Sequence, residues 1–193
     1  AKLAEHPWVQ SAKVTVTIFP PRFNVQVTEE QPYLVAEFGQ GSWLVGRSGK
    51  LIAPLRDIKD PDIIMQSVSL PRLSGEISRV AGEPDRDQVR KSTAILRLYQ
   101  SAGGFPYPLE RAERAKDGSI KILSPDLIQP AIVIGETDFD GARRALEQLR
   151  LANQDLQARG ESAKAFDLRF QGQVVIAPVE FRPDVVPKPR AVH

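Results

Sequence analysis

The sequence predicts an α+β chain whose strands pair mostly antiparallel and whose helices are two. Three observations carry this expectation. Apolar and polar residues alternate through much of the stretch from Ala12 to Phe38. Two later stretches place apolar residues at helical spacing. Strands and helices follow one another without a regular β-α-β order.

Taken in order, "AKVTVTIF" sets Val14, Val16 and Ile18 on one face and Lys13, Thr15 and Thr17 on the other. "PPR" interrupts the run, because proline has no N–H for a strand ladder. "FNVQV" then alternates through Phe23, Val25 and Val27, so the two runs predict a hairpin. "PYLVAEF" is a third extended segment, joined at Pro32. "SWLV" (42–45) and "KLIAPL" (50–55) flank "GRSG", a hairpin turn. "IIMQSVSLPRLSG" continues this series of short segments and ends in a loop marked by proline and glycine.

From about Asp85 to Ala102 the period changes. Val89, Leu96 and Tyr99 recur at helical spacing, Ile95 and Leu98 widen the stripe, and Gly103-Gly104 ends it. "PYPLERAERA" and "SIKILS" read as strands joined across Lys116-Asp117-Gly118, an Asp-Gly hairpin signal. "PAIVIG" (130–135) reads as a short buried strand. A second helix is predicted from about Phe139 to Ala158, with Ala142, Ala145, Leu146, Leu149, Ala152 and Leu156 as its apolar stripe. Thr137 and Asp140 have the spacing of a capping box, and Gly160 closes the helix. The chain ends with an alternating strand at "AFDLRF", a Gln-Gly-Gln step, the apolar run "VVIA" and a Pro-rich tail.

Composition narrows the function classes. The 193 residues carry 26 basic and 24 acidic side chains, for a net charge of +2. No basic stripe dominates any segment, which argues against nucleic-acid binding. The densest cluster, "ERAERAK" at 110–116, alternates in sign and reads as a solvated face. No cysteine is present, so disulfides, thiol nucleophiles and zinc–thiolate sites are excluded. That absence suits a bacterial extracytoplasmic protein that avoids oxidative mispairing, but cytosolic chains can lack cysteine too, so it does not fix the compartment. No stretch approaches the ~20 apolar residues that span a bilayer, and no signal-peptide pattern opens the chain. "AKLAEHPWV" begins abruptly, as the tail of a helix, and upstream sequence is expected.

A search for catalytic chemistry finds little. His6 and His193 cannot build a triad or a histidine metal site between them. "GQGSWLVG" (39–46) precedes no helix and reads as a hairpin rather than a phosphate loop. Glu29 and Glu30 are adjacent in an extended segment, so they point to opposite faces. Asp138 and Asp140 stand where a helix N-terminus favours acids. Trp8 and Trp43 lie beside strand patterns and read as packing anchors. Neither a cofactor nor a metal is expected. Binding remains.

The segment "HPWVQSAKVTVTIFPPRFNVQVTEEQPYLVA" resembles the end of a POTRA domain in the FtsQ/DivIB family of bacterial cell-division proteins. Pro7, Trp8, Val9, Phe19, Pro20, Val27, Glu29, Pro32 and Ala36 carry the likeness. Leu44, Val45 and Gly49 resemble the family's Leu-Val-Asp-x-x-Gly step, "LPRLSG" its Leu-Pro-x-Leu-x-Gly, and "FDLRF" its Asp-Leu-Arg-Tyr. The motifs run in order along nearly the whole chain. Glu30 stands where the family often has arginine, Gly46 where it often has aspartate, and Phe170 where it often has tyrosine. The first strand and most of the helical part of the POTRA domain are missing.

The resemblance implies the C-terminal part of a POTRA domain over 1–36 and an FtsQ-type β domain over 37–178; the Pro-rich stretch over 179–193 reads from its composition as a disordered tail. It implies a non-enzymatic divisome scaffold, anchored in the cytoplasmic membrane by an upstream helix, with this region outside the cytoplasm at the septum. Its β domain would bind the small bitopic proteins FtsB and FtsL, and its POTRA domain other divisome proteins. The family's partner contact maps onto Arg169, Phe170, Gly172, Gln173, Val174, Val175 and Ile176, the last four lying on the final strand, expected over Gln173 to Ala177. Leu168 and Val175 could equally serve only the core. Two other readings stay open: a POTRA-bearing component of an outer-membrane assembly or secretion system, and an envelope enzyme with a carboxylate-lined cleft.

Overall fold

A computed structural model describes residues 2–39, 41–103, 105, 107–124, 130–136, 138–161, 163–170 and 172–177. The tail expected over 179–193 lies outside the described residues. The chain opens with one helical turn, α1 (Lys2–Glu5), and an antiparallel ribbon of β1 (Val9–Thr17) and β2 (Arg22–Glu29). Register places Val14 opposite Val25 and Val16 opposite Phe23 on one face, with Lys13–Gln26 and Thr15–Asn24 on the other. The ribbon has the expected alternation, yet its apolar face is open: Phe23 is 78% exposed.

A lone two-stranded ribbon is marginal in water, so its attachment matters. The Glu30 N–H donates to the Trp8 carbonyl at 2.9 Å. The Lys50 ammonium donates to the His6 and Val9 carbonyls at 2.8 and 3.0 Å. Glu30 is itself buried, and its carboxylate accepts from Ser48 N at 2.9 Å and Ser48 Oγ at 2.7 Å. A Cβ at Gly46 would stand 2.2 Å from Glu30 Cγ. Two of the three departures noted above thus meet in space: the missing side chain at 46 makes room for the acid at 30.

Next come β3 (Pro32–Phe38), β4 (Gly41–Gly46) and β5 (Leu51–Pro54). A third sizeable helix follows, α2 (Pro61–Val68). Sequence periodicity does not reveal it, because eight residues make barely two turns. Its local signals are the Asp60 carboxylate accepting from Asp62 N, and Pro61 in the first turn. Part of the segment read as a loop is β6 (Arg72–Gly75), and the hairpin of β7 (Arg79–Val80) and β8 (Glu83–Pro84) comes after it. The remaining elements are α3 (Arg86–Ala102), β9 (Arg111–Arg114), β10 (Ile120–Leu123), β11 (Pro130–Ile134), α4 (Phe139–Ala158), β12 (Ala165–Leu168) and β13 (Val175–Ala177). Both long helices match expectation closely. The cap of α4 does not: Asp138 accepts from Gly141 N at 2.7 Å, while Thr137 lies outside the described residues. From 138 a carboxylate reaches the N3 amide directly, so no capping box is needed.

Nine strands form one sheet in the order β13-β12-β11-β10-β9-β6-β3-β4-β5. Five of its pairings are antiparallel and three are parallel. The class is therefore α+β, but α3 and α4 each serve as a crossover between parallel neighbours, β6 to β9 and β11 to β12. The boundary expected near residue 36 falls inside β3, and the change from ribbon to large sheet falls before Pro32.

Both crossover helices cover the same face of the sheet. Leu34, Leu73, Ile120, Ile122, Ile132, Ile134 and Phe166 project from the strands against Val89 and Leu96 of α3 and Leu146 and Leu149 of α4. Each of these side chains is almost fully buried, worth roughly 1.5–3 kcal/mol apiece. A smaller cluster on the other face, Val35, Leu44 and Ile52, lies beneath Trp8, Ile58, Ile63 and Leu70. It covers only the β3–β4–β5 end.

Candidate functional site

β13 is the first strand of the sheet and pairs only with β12 among the described residues. Its register sets Phe166 opposite Ile176, Asp167 opposite Val175, and Ala165 opposite Ala177. Directly opposed residues share a face, so Ile176 stands with Phe166 on the helix-covered side and Val175 with Asp167 on the open side. Val174 and Ile176 pack, half-buried, against the main core. The strand spans three residues rather than the five expected, because Gln173 and Val174 precede it.

The turn before it is tight. Gln173 N–H donates to the Phe170 carbonyl at 3.3 Å, and Gly172 adopts a φ of +74°. That left-handed conformation strains any residue with a Cβ. Phe170 caps the turn with 47% of its surface exposed. Of the residues mapped onto this site, Gly172 and Gln173 are exposed, and Val174, Val175 and Ile176 are half-buried.

Arg169 follows β12 on its open face. It is not waiting unpaired: its Nε lies 3.0 Å from both Asp167 oxygens and its Nη2 lies 2.6 Å from Oδ2. Its backbone N–H also donates to Asp167 Oδ1 at 3.0 Å. Asp167 uses the Nε/Nη2 side of the guanidinium, which leaves the Nη1 side for another acceptor. A second acid stands near. Hydrogen bonds from Ser119 hold the Asp117 carboxyl below the usual range, and the Arg169 charge adds to the effect. Neither Asp167 nor Asp117 was expected at the site. The Asp-x-Arg spacing was the available signal for Asp167, since residues two apart on a strand share a face. Asp117 comes from the β9–β10 turn and has no signal in the sequence.

The start of β12 is held by a relay of phenols that sequence reasoning also misses. Tyr99 Oη, on α3, donates to the Tyr107 carbonyl at 2.6 Å, and Tyr107 Oη lies 3.0 Å from both the Ala163 and the Lys164 carbonyls. Burial pushes Tyr33 up to about 12 and raises Tyr99 and Tyr107 as well. An unfolded phenol ionises near pH ~10, so a folded one that resists ionisation stabilises the native state fully below that pH. The contribution is lost as pH climbs from about 10 through the raised folded values. Thermal unfolding followed by circular dichroism should therefore show a falling midpoint above pH ~10, with part of the loss removed in Tyr99→Phe. A midpoint that stays level up to pH ~12 would contradict these buried phenols.

Among the described residues, no group of three His, Asp or Glu side chains could hold a metal ion, and no helix is long and apolar enough to cross a membrane. No protein-family model matches the chain. Among curated proteins, it is similar to the "Cell division protein FtsQ" of Salinibacter ruber, with 27% identity over 180 residues. That match covers 90% of this chain and 66% of the relative's length.

Proposed function

We propose that this chain acts in bacterial cell division as a non-enzymatic scaffold of the divisome, and that β13 receives a strand from a small bitopic division protein of the FtsB or FtsL type. The observation that carries the reading is the position of β13: an edge strand without charge, in a chain similar to a cell-division protein. Natural edges are usually blunted by charge, proline or a cover. In this reading the β1–β2 ribbon is the C-terminal part of a POTRA domain, which recruits other divisome proteins. The nine-stranded sheet with its helices is the partner-binding β domain. The intact protein is held in the cytoplasmic membrane at the septum, with this region outside the cytoplasm.

Among the described residues of β13, alternate positions direct their N–H and C=O away from β12 and would give a partner strand main-chain affinity. Side chains at the rim would add to it. Phe170 offers an exposed aromatic anchor, and the free side of Arg169 can take a partner carboxylate, worth about 1.5–3 kcal/mol.

Binding of a peptide from an FtsB-type protein of the same cell, measured by calorimetry, tests the reading. Proline is placed at Val175 and at Ile176 in separate variants, since one of the two removes an outward-facing donor. That variant should abolish binding, and Arg169→Glu should weaken it about tenfold or more, the loss of one charge-assisted bond. If all three variants keep their circular dichroism spectra and bind unchanged, the edge does not receive the partner.

A further inference from the structure

The opposite end of the sheet carries a second surface that edge pairing at β13 does not use. β5 is the last strand there and pairs only with β4 among the described residues. Beside it opens a cleft of about 420 Å³ whose walls include Phe38, Trp43, Leu55 and Pro84, with Arg56 and Arg79 at the rim. Three separate parts of the chain build it: the end of β3, the β4–β5 hairpin with the turn after it, and the β7–β8 hairpin. Trp43 and Pro54 face each other across the β4–β5 ladder, which fixes the indole at the cleft wall.

The residues that line this cleft include two cations and no acid. Arg56 extends into solvent, its side chain 85% exposed, with only a distant ion pair to Asp57 at 3.6 Å. Arg79 has no carboxylate within ion-pair distance among the described residues. Its guanidinium lies against Gly39, where a Cβ would stand 2.2 Å from Nη2. The glycine lets a flat cation rest on main chain and face the cleft. Apolar walls under two guanidiniums match a ligand that is apolar at its centre and anionic at its flanks. Tryptophan and arginine together are also the residues most enriched where partner proteins are anchored.

We infer that this cleft is a second protein-binding surface, which takes an acidic segment of a partner polypeptide with an apolar side chain between carboxylates. The cleft is open and follows an edge strand, which suits an extended chain. It lies eight strands from β13 in the sheet order, so both ends can be occupied at once. The inference stands independently of edge pairing at β13. Combined with it, the chain would join two partners through one rigid sheet.

The indole supplies the readout. The chain has two tryptophans, and Trp8 packs in the small cluster on the helix-poor face of the sheet, so Trp8→Phe leaves Trp43 as the only reporter. The probe is a capped pentapeptide alternating glutamate with leucine and phenylalanine, beside the same peptide with lysine for glutamate. The acidic peptide should produce a saturable change in Trp43 emission that weakens with salt. Arg79→Glu should lower its affinity about tenfold or more, and the lysine peptide should not bind. Should Trp8→Phe fail to fold, calorimetry on the unaltered chain and on Arg79→Glu makes the same comparison. No saturable signal up to millimolar peptide, equal binding of the lysine peptide, or unchanged binding by Arg79→Glu would overturn the inference. Benzoate binding as tightly as the peptide, with the same dependence on Arg79, would assign the cleft to a small anion and overturn the polypeptide.

Discussion

Phe166→Ala is expected to lower the unfolding free energy by about 3–5 kcal/mol, the cost of emptying a fully packed aromatic site. Phe166 is 1% exposed and sits between Ile132 on β11 and Ile176 on β13, under the helix-covered face. The cavity would open beneath the candidate edge, since Ile176 has Phe166 as its cross-strand support. Denaturant unfolding gives the stability change, and amide exchange at Val175–Ala177 reports whether the edge strand loosens first. A loss under about 1 kcal/mol would mean that the core does not pack at this end of the sheet as described.

Gly75→Ala should be comparably severe for a different reason. Gly75 ends β6 at a φ of +105°, and an added Cβ would stand 2.1 Å from the backbone oxygen of Arg114, its partner on β9. Both insults act at once: a backbone conformation closed to alanine, costing about 1–3 kcal/mol, and an overlap that no rotamer relieves. Because β6 lies in the middle of the sheet, the strand cannot shift without disturbing β3 and β9 together. The expected loss is about 3–5 kcal/mol, read from the denaturation midpoint. Near-normal stability in this variant would show that the β6–β9 register differs from the one described. The glycine that closes "LPRLSG" thus has a steric explanation that the sequence likeness alone does not supply.

Much of the local structure is legible in the sequence. The spans of α3 and α4 follow from apolar spacing, and the acids at their starts are ordinary helix signals. The β1–β2, β4–β5 and β9–β10 hairpins follow from alternation and turn residues. These signals act over a few neighbouring residues, so a single chain displays them. Two short elements escape for the same reason. α2 and β6 hold eight and four residues, too few for a period to stand out, and the faces they bury are chosen by distant partners.

What the sequence alone determines here is the α+β class, the long helices, the hairpins and an extended segment within 173–177. What only the tertiary structure decides is which strands become edges and what gathers around them. The covering of one face by α3 and α4 sets the order of nine strands, a choice summed over many buried residues far apart in the chain. From that order alone it follows that β13 and β5 lie at opposite ends. The same long-range packing brings Asp117 beside Arg169, seats Glu30 in the space beside Gly46, and assembles Phe38, Trp43 and Arg79 around one cleft. Apart from Phe38 and Trp43, which sit on the adjacent strands β3 and β4, these residues lie far apart in the chain, so no local pattern records their meeting.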